Sequence, residues 1–374
     1  MKNYEKVQLV AYGTVTSAPV RVLPPGRPPA EEYDADMKTR GATLCKVANW
    51  IQANHSAAVS DPTVLKVLVV PEFYFRFGGP VAADSPPDTL NNSYPDAVGM
   101  ISNLIGDVLV PQFSTDAWND WIIIAGSAFW HVPAARTTNG NVAYFNTSIV
   151  INGGELPEDE PNTNDDPATV PTLGRSSTNQ KALMSRIDWS VARGNDRSKW
   201  DAALNPMFTT QLTDDRYLRW HLFKTGGKGN RGGRSVVLGV EVCLEHVRAS
   251  EDRGEVAGVL RVLAAQEPQM PPPDVHVVTS CGMDLVPTIG VATAPGGIAM
   301  ICDGAQPDTG IQPVWWPHAE VRRTTGVTRD GVRLMARGRS LGSFELPDGL
   351  QVGAPGDPRT PRDAVSIWEP VDLP

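Results

Sequence analysis

The chain reads as an α/β protein built from two packed sheets with helices outside. Three observations predict this. Residues 64–70 and Ser235–Val242 are short, β-branched apolar runs, typical of strands buried on both faces. Early in the chain such runs alternate with helical periodicity, whereas consecutive strands dominate the middle. No internal repeat or abrupt composition shift divides the 374 residues, and a hydrophobic content of 41% is enough for one large core or two ordinary ones.

Taken in order, residues 7–15 form a first strand, and residues 17–30, with five prolines, form a loop. Residues 31–54 are a helix: Met37, Leu44 and Ile51 are seven apart, with Val47 and Ala48 beside them. Residues 64–70 are a buried strand and residues 80–90 a Pro/Asp loop. Val98, Ile101, Leu104, Ile105 and Val108 mark a second helix, stopped at Pro111. Residues 121–126 and 143–151 are strands, the second ended by an Asn152-Gly-Gly turn. Residues 154–178 and 190–216 are polar and irregular. Strands at 218–223 and 235–242 flank a glycine-rich loop, and a helix falls within 247–264. Late strands lie at 275–279 and 298–302, and a hairpin spans 321–336 around Arg329-Asp-Gly. Residues 1–345 are expected to be one domain and 346–374 a Pro-rich C-terminal tail or arm.

Bulk properties exclude several function classes. The net charge of −9 leaves no surplus of Lys and Arg for phosphates, so nucleic acid is not an expected partner. An acidic surface also disfavours anionic membranes, and no apolar run approaches the ~20 residues needed to span a bilayer. The N-terminal apolar run is too short for a secretion signal. Four cysteines (Cys45, Cys243, Cys281, Cys302), with no CxxC pair and no HExxH, fit neither a disulfide scaffold nor a structural zinc site. The expectation is a cytoplasmic protein with reduced thiols, no metal and no cofactor.

Three segments carry chemistry. Val236-Val-Leu-Gly-Val-Glu-Val-Cys243 is a strand that ends at a thiol, Val67-Leu-Val-Val-Pro-Glu72 is one that ends at a carboxylate, and Lys181-Ala-Leu-Met-Ser supplies an amine. A free thiol has a pKa of about 8.5 and is mostly protonated at neutral pH, so a nucleophilic cysteine needs a base. Glu72 suits that role, and the same carboxyl can return the proton to a leaving amine. The tetrahedral intermediate needs positive charge or N–H donors, which Lys181 and the Leu244 amide would provide. Each residue alone also has a structural explanation: buried cysteine, first loop residue, surface lysine.

Together these segments resemble the nitrilase (carbon–nitrogen hydrolase) superfamily over roughly residues 7–303. The resemblance rests on Val70-Pro-Glu72, Lys181-Ala-Leu-Met-Ser and Gly239-Val-Glu-Val-Cys243-Leu-Glu245, supported by Ile122-Ile-Ile-Ala-Gly-Ser127 and Tyr144-Phe-Asn-Thr-Ser-Ile-Val-Ile151. It implies a four-layer αββα sandwich, a Glu72–Lys181–Cys243 triad, no metal, and a homodimer or larger homo-oligomer. The chain departs from the family pattern in three ways. His246-Val-Arg248 replaces the usual arginine and Phe-Pro pair, Cys243 follows Lys181 by 62 positions, implying an insertion around 190–216, and no glutamate lies between Glu160 and Glu241. Asp188 is the nearest carboxylate to take the place of the family's second glutamate, and an N-cap is its other reading. Glu245 is a candidate support of the elbow through backbone hydrogen bonds, and His246 is read as structural.

Competing features have plainer readings. Lys224 and Lys228 fall in the hairpin leading to Cys243. Gly227-Lys-Gly-Asn-Arg-Gly232 matches GxGxxG but precedes a strand, so no helix N-terminus meets a phosphate there; Arg231 and Arg234 remain candidates for a substrate carboxylate. Cys281 is a rival strand-end thiol that the family pattern places in the pocket lining. Phe73, Tyr74, Trp189, Trp315 and Trp316 are candidate pocket or core aromatics. The expected activity is thiol-dependent hydrolysis of a non-peptide carbon–nitrogen bond in a small molecule, an amide first, then a nitrile or carbamoyl group. Acyl transfer to an amine and a non-catalytic binding or regulatory role are the alternatives.

Overall fold

A computed structural model describes residues 3–16, 30–77, 93–132, 143–154, 170, 172–181, 221–229, 235–246, 257–304, 318–352 and 362–374. The fold is mixed α/β, with two sheets and a few helices.

The nine-stranded sheet runs β14 (Ser340–Glu345), β15 (Ala364–Trp368), β2 (Lys6–Gly13), β3 (Val64–Val69), β5 (Trp121–Val132), β6 (Ala143–Asn152) and β7 (Ser176–Gln180). Two short strands complete it: β4 (Tyr94–Pro95) beside β5 and β16 (Val371–Asp372) beside β2. The seven-stranded sheet runs β1 (Asn3–Tyr4), β8 (Leu222–Gly229), β9 (Ser235–Val242), β10 (Val275–Ser280), β11 (Ile298–Asp303), β12 (His318–Val327) and β13 (Arg333–Arg337). Strands β2, β3 and β5 are parallel to one another, as are β9, β10 and β11. Each parallel set therefore gathers its strand C-termini along one edge, where loops can carry functional groups.

Side-chain alternation decides what each face meets. On β3, Leu65, Val67 and Val69 join a cluster shared with the other sheet, which supplies Val236, Leu238 and Val240 of β9 and Val275 and Val277 of β10. Leu68 of β3 and Val70 point the other way, toward α1 (Ala30–Val59) and its buried Met37, Leu44, Val47, Ala48 and Ile51. Burying each such aliphatic side chain contributes roughly 1.5–3 kcal/mol. The outer face of the seven-stranded sheet is covered in part by a short helix, Val259–Gln266, whose Val259, Leu260 and Leu263 pack with Val237 of β9. Gly239 permits that approach: a Cβ there would meet Leu260 and Pro273.

The long apolar runs come out as expected, and Ser235–Val242 is a strand with those bounds. Other segments differ. The helix expected to stop at Pro111 does not: α2 (Val98–Asn103) passes through a π turn (Leu104–Leu109) into α3 (Val110–Phe113). The Val110 N–H bonds five residues back, to Ile105. Pro111 then falls in the first turn of α3, where its missing N–H costs little. Strand β8 spans Leu222–Gly229 and so runs into the glycine-rich segment, while residues 218–220 of the expected strand lie outside the described residues. Part of the Pro-rich stretch 346–374 lies inside the larger sheet: β15 is buried throughout and pairs antiparallel with β2. No described helix is long and apolar enough to cross a membrane.

The helix Val259–Gln266 is α4.

Candidate active site

Glu72 stands three residues beyond Val69, the end of β3, and the Val70 N–H between them bonds to Ile124 O at 2.9 Å. The chain then bulges away from β5 and returns at an isolated bridge between Phe75 and Ala128. The bulge is built by Phe73, whose φ of 62° lies in the left-handed region, and is tied by Phe73 N–H donating to Ser127 Oγ at 3.0 Å. Gly126 is required opposite it. Its φ is +78°, and a Cβ there would strike the Pro71 carbonyl. This local irregularity aims the Glu72 carboxylate off the sheet edge, fully buried.

Lys181 follows β7 directly. Its Nζ lies 2.6 Å from Glu72 Oε1, with both side chains completely buried. Asn146 of β6 joins the two residues: its Nδ2 donates to Glu72 Oε1 at 2.8 Å, and its carbonyl accepts the Lys181 N–H at 2.8 Å. A supporting chain runs outward from there. Gln180 Nε2 donates to Asn146 O at 3.1 Å, Thr147 Oγ1 donates to Gln180 Oε1 at 2.7 Å, and Trp130 Nε1 donates to Thr147 Oγ1 at 2.9 Å. The Lys181 ammonium also sits 5.9 Å from the centroid of the Phe73 ring, while the Arg76 guanidinium lies 4.8 Å from it.

Cys243 begins a single 3-10 turn, Cys243–His246, at the end of β9. Its φ of 51° makes it one of three described non-glycine residues in the left-handed region. Such a conformation costs of order 1–3 kcal/mol and persists where its surroundings over-determine it. Glu245 supplies one restraint: its Oε2 accepts the Val242 N–H at 2.8 Å, and its Oε1 lies 3.2 Å from His221 Nε2.

The structure brings Glu72 and Lys181 into direct contact. Cys243 is linked to them through the strands: Asn179, two residues before Lys181, donates from Nδ2 to the Val240 carbonyl of β9 at 3.4 Å. On the other side of β9, register pairs Val242 with Thr279 of β10. Beyond Thr279, Cys281 packs in one apolar cluster with Phe73 and Phe129. Burial raises the Cys281 thiol pKa well above its usual range, with the negative charges of Glu72 and Asp303 adding to the effect, so Cys281 is a poor source of thiolate.

Asp188, Trp189, Arg231, Arg234, Trp315 and Trp316 lie outside the described residues. Lys224 and Lys228 are in β8, opposite Val237 and Ser235 in the hairpin that leads to Cys243. Tyr74 belongs to the core, edge-on to Tyr12 and Phe75. The backbone of Leu244 lies in the turn after Cys243.

The local sequence pattern assigns Asn146 no role. The available signal was a polar amide in mid-strand, between Phe145 and the Thr147–Ile151 run, where asparagine is disfavoured. Glu241, His246 and His276 were also not joined. Their ligand-type atoms lie within 4.8 Å of one another, all buried, on the outer face of β9 and β10.

Comparison with protein-family models, curated proteins and solved structures finds no match to the chain.

Proposed function

We propose that the protein hydrolyses a non-peptide carbon–nitrogen bond through a covalent thioester at Cys243, on a four-layer αββα sandwich of the nitrilase type. The observation that carries this reading is the fully buried contact of 2.6 Å between Glu72 and Lys181, each just past a strand end, together with Cys243 in a left-handed turn at the end of β9. Buried ion pairs are costly to assemble and seldom improve stability over apolar packing, so one at the mouth of a strand array is a reason to look for chemistry.

The steps follow from the groups present. Glu72 takes the proton from Cys243 Sγ as the sulfur attacks the substrate carbon, and the carbon–nitrogen π electrons move to oxygen, or to nitrogen for a nitrile. Lys181 Nζ and the Leu244 N–H face the developing negative charge. When the intermediate of an amide collapses, Glu72 returns the proton to the departing nitrogen and the carbon–nitrogen bond breaks. A nitrile takes up a water first and releases ammonia in the same way. Glu72 then removes a proton from water, which attacks the thioester. The carboxylic acid leaves and the proton returns to sulfur. The adjacent Lys181 charge favours the ionised form of Glu72 at the start of each half-reaction. The expected substrates are small amides, then nitriles or carbamoyl compounds, handled by a cytoplasmic homodimer or larger homo-oligomer without a cofactor.

The test is intact-protein mass spectrometry after incubation with amides, nitriles and carbamoyl compounds, followed by peptide mapping. An acyl adduct on Cys243, absent in Cys243→Ala, is the expected result. No adduct from any class, together with a Cys243 inert to iodoacetamide in the folded protein, would remove the enzyme reading in favour of a binding or regulatory protein.

A further inference from the structure

The Glu241–His246–His276 cluster has the composition of a metal centre and the wiring of something else. Glu241 Oε2 receives His246 Nδ1–H at 2.8 Å and His276 Nε2–H at 2.8 Å. Glu241 Oε1 accepts the Leu260 N–H at 2.8 Å, at the start of α4. The far nitrogen of each imidazole is engaged as well. His246 Nε2 accepts the Val286 N–H at 3.1 Å, and His276 Nδ1 accepts the Ala292 N–H at 3.2 Å. A backbone N–H can only donate, so it fixes the ring nitrogen it meets as an acceptor. Each neutral imidazole must then carry its proton on the nitrogen facing Glu241. The lone pairs a metal would need on that side are occupied by protons. Moving those protons to the far nitrogens would set N–H against N–H at Val286 and Ala292.

The position of the cluster is as informative as its bonds. Glu241 is two residues before Cys243 and His246 three residues after it. Their side chains close a loop around the turn, and inside that loop Glu245 bonds back to the Val242 N–H at 2.8 Å. Two nested closures, 241 to 246 and 242 to 245, thus enclose Cys243 and Leu244. His276 anchors the outer closure to β10, and Leu260 anchors it to α4. Two glycines fit tightly around it: a Cβ on Gly290 would strike the His246 ring, and one on Gly258 would meet the His246 carbonyl at 2.8 Å.

We propose that Glu241, His246 and His276 are positioning residues, a metal-free clamp that holds Cys243 in the left-handed conformation from which it reacts. The proposal rests on the reading of Cys243 as a nucleophile, and the experiment separates the two. The full-length protein is treated with iodoacetamide. The alkylation rate of each cysteine is followed by peptide mapping, beside thermal melting and metal analysis, for wild type, His276→Ala, His276→Gln and Gly290→Ala. Glutamine carries one donor and one acceptor, as the neutral imidazole does. Gly290→Ala keeps every hydrogen-bonding group and presses on the His246 ring and carbonyl.

Cys243 in the wild type should react much faster than Cys45, Cys281 and Cys302. His276→Ala and Gly290→Ala should slow it by about tenfold or more, since a misplacement of ~1 Å can cost ~10²-fold. His276→Gln should restore most of the rate. If His276→Ala does not fold, the Gly290→Ala and His276→Gln pair carries the same contrast. A wild-type Cys243 no faster than the other thiols would remove the nucleophile reading and the clamp with it. A fast Cys243 left equally fast by Gly290→Ala and His276→Ala would remove the clamp alone. So would a stoichiometric divalent metal ion that is lost in His276→Ala.

Discussion

Glu72 and Glu241 are both fully buried, and they are built differently. Glu72 meets a full positive charge, Lys181, and the Asn146 amide, both at Oε1. Glu241 meets two imidazole N–H groups at Oε2 and the Leu260 N–H at Oε1. The surroundings of Glu241 are pinned in turn by backbone N–H groups, so no proton there can move without breaking a second bond. In the Glu72–Lys181 contact the carboxylate faces a full charge, and in the proposed mechanism it takes up and returns a proton while the lysine remains. A buried carboxylate facing a full charge is suited to chemistry, and one saturated by fixed dipoles is suited to holding shape.

The largest expected effect tests the first half of that contrast. Cys243→Ala should abolish turnover and adduct formation while the melting temperature stays near that of the wild type, because only one sulfur is removed from a buried turn. Retained turnover would sink the mechanism. Lys181→Ala should reduce the rate by about 10²-fold or more, as for loss of an oxyanion stabiliser. It should also destabilise the fold by roughly 3–5 kcal/mol at neutral pH, because it leaves the Glu72 charge buried without its cation. Denaturant unfolding alongside steady-state rates checks both. An unchanged rate would transfer the role to another cation.

Asn146→Ala is expected to be milder. It removes one donor from Glu72 and leaves the lysine in place, so stability should fall by about 1–3 kcal/mol. The turnover rate should drop less than in Lys181→Ala, with the loss in kcat rather than KM if Asn146 orients the carboxylate. A rate loss as large as that of Lys181→Ala would mean that the amide, not the charge, governs Glu72.

The asymmetry between the two glutamates also explains what could be read from the chain. Glu72 and Cys243 announce themselves locally, because each follows an apolar strand that ends where the pattern ends, whereas Lys181 follows β7, a wholly polar strand (Ser176–Gln180) that begins inside the stretch 154–178 expected to be irregular. Strands 64–69 and 235–242 are legible for the same reason, being short β-branched runs bounded by breakers. The Glu241 cluster is legible only once pairing is known. His276 comes 35 residues after Glu241, and the two meet because β9 and β10 lie parallel in one register, with Val278 opposite Glu241. No local period encodes that register. Strand β15 was hidden by composition. Its Ala-Val-Ser-Ile-Trp run is five residues long and sits in proline-rich surroundings, yet it pairs with β2 across more than 350 positions of chain. Pro111 misled for a mechanical reason: the π turn before it places the proline where a helix tolerates one.

The smallest effect expected near neutral pH concerns the clamp itself. Burial works to raise the Glu241 carboxyl, but the electrostatic attraction of His276 and the hydrogen bonds from both imidazoles outweigh it and hold the pKa down at about 2. Burial lowers the pKa of His246, with the Glu241 bond opposing the change. Both shifts have the same sign in their effect on stability. In each case the unfolded chain binds a proton more readily than the folded one, so stability rises with pH through the window between the two pKa values. The His246 contribution is complete above its unfolded pKa of about 6.5 and declines as the pH falls below it. The Glu241 contribution is complete above about 4.5 and is lost as the pH falls toward about 2. Other charges face the cluster and could shape the curve. Arg261 on α4 acts on Glu241 with Arg333 beside it, and the Glu245–His221 pair lies on the inner closure. The melting temperature should therefore fall gently from pH 7 to pH 5 and steeply below. His246→Asn keeps the donor to Glu241 but cannot take up a ring proton, so it should flatten the upper part of the curve alone. If both proteins lose stability in parallel between pH 7 and pH 5, the acid sensitivity belongs to the Glu72 side, and the division of labour between the two glutamates would have to be reversed.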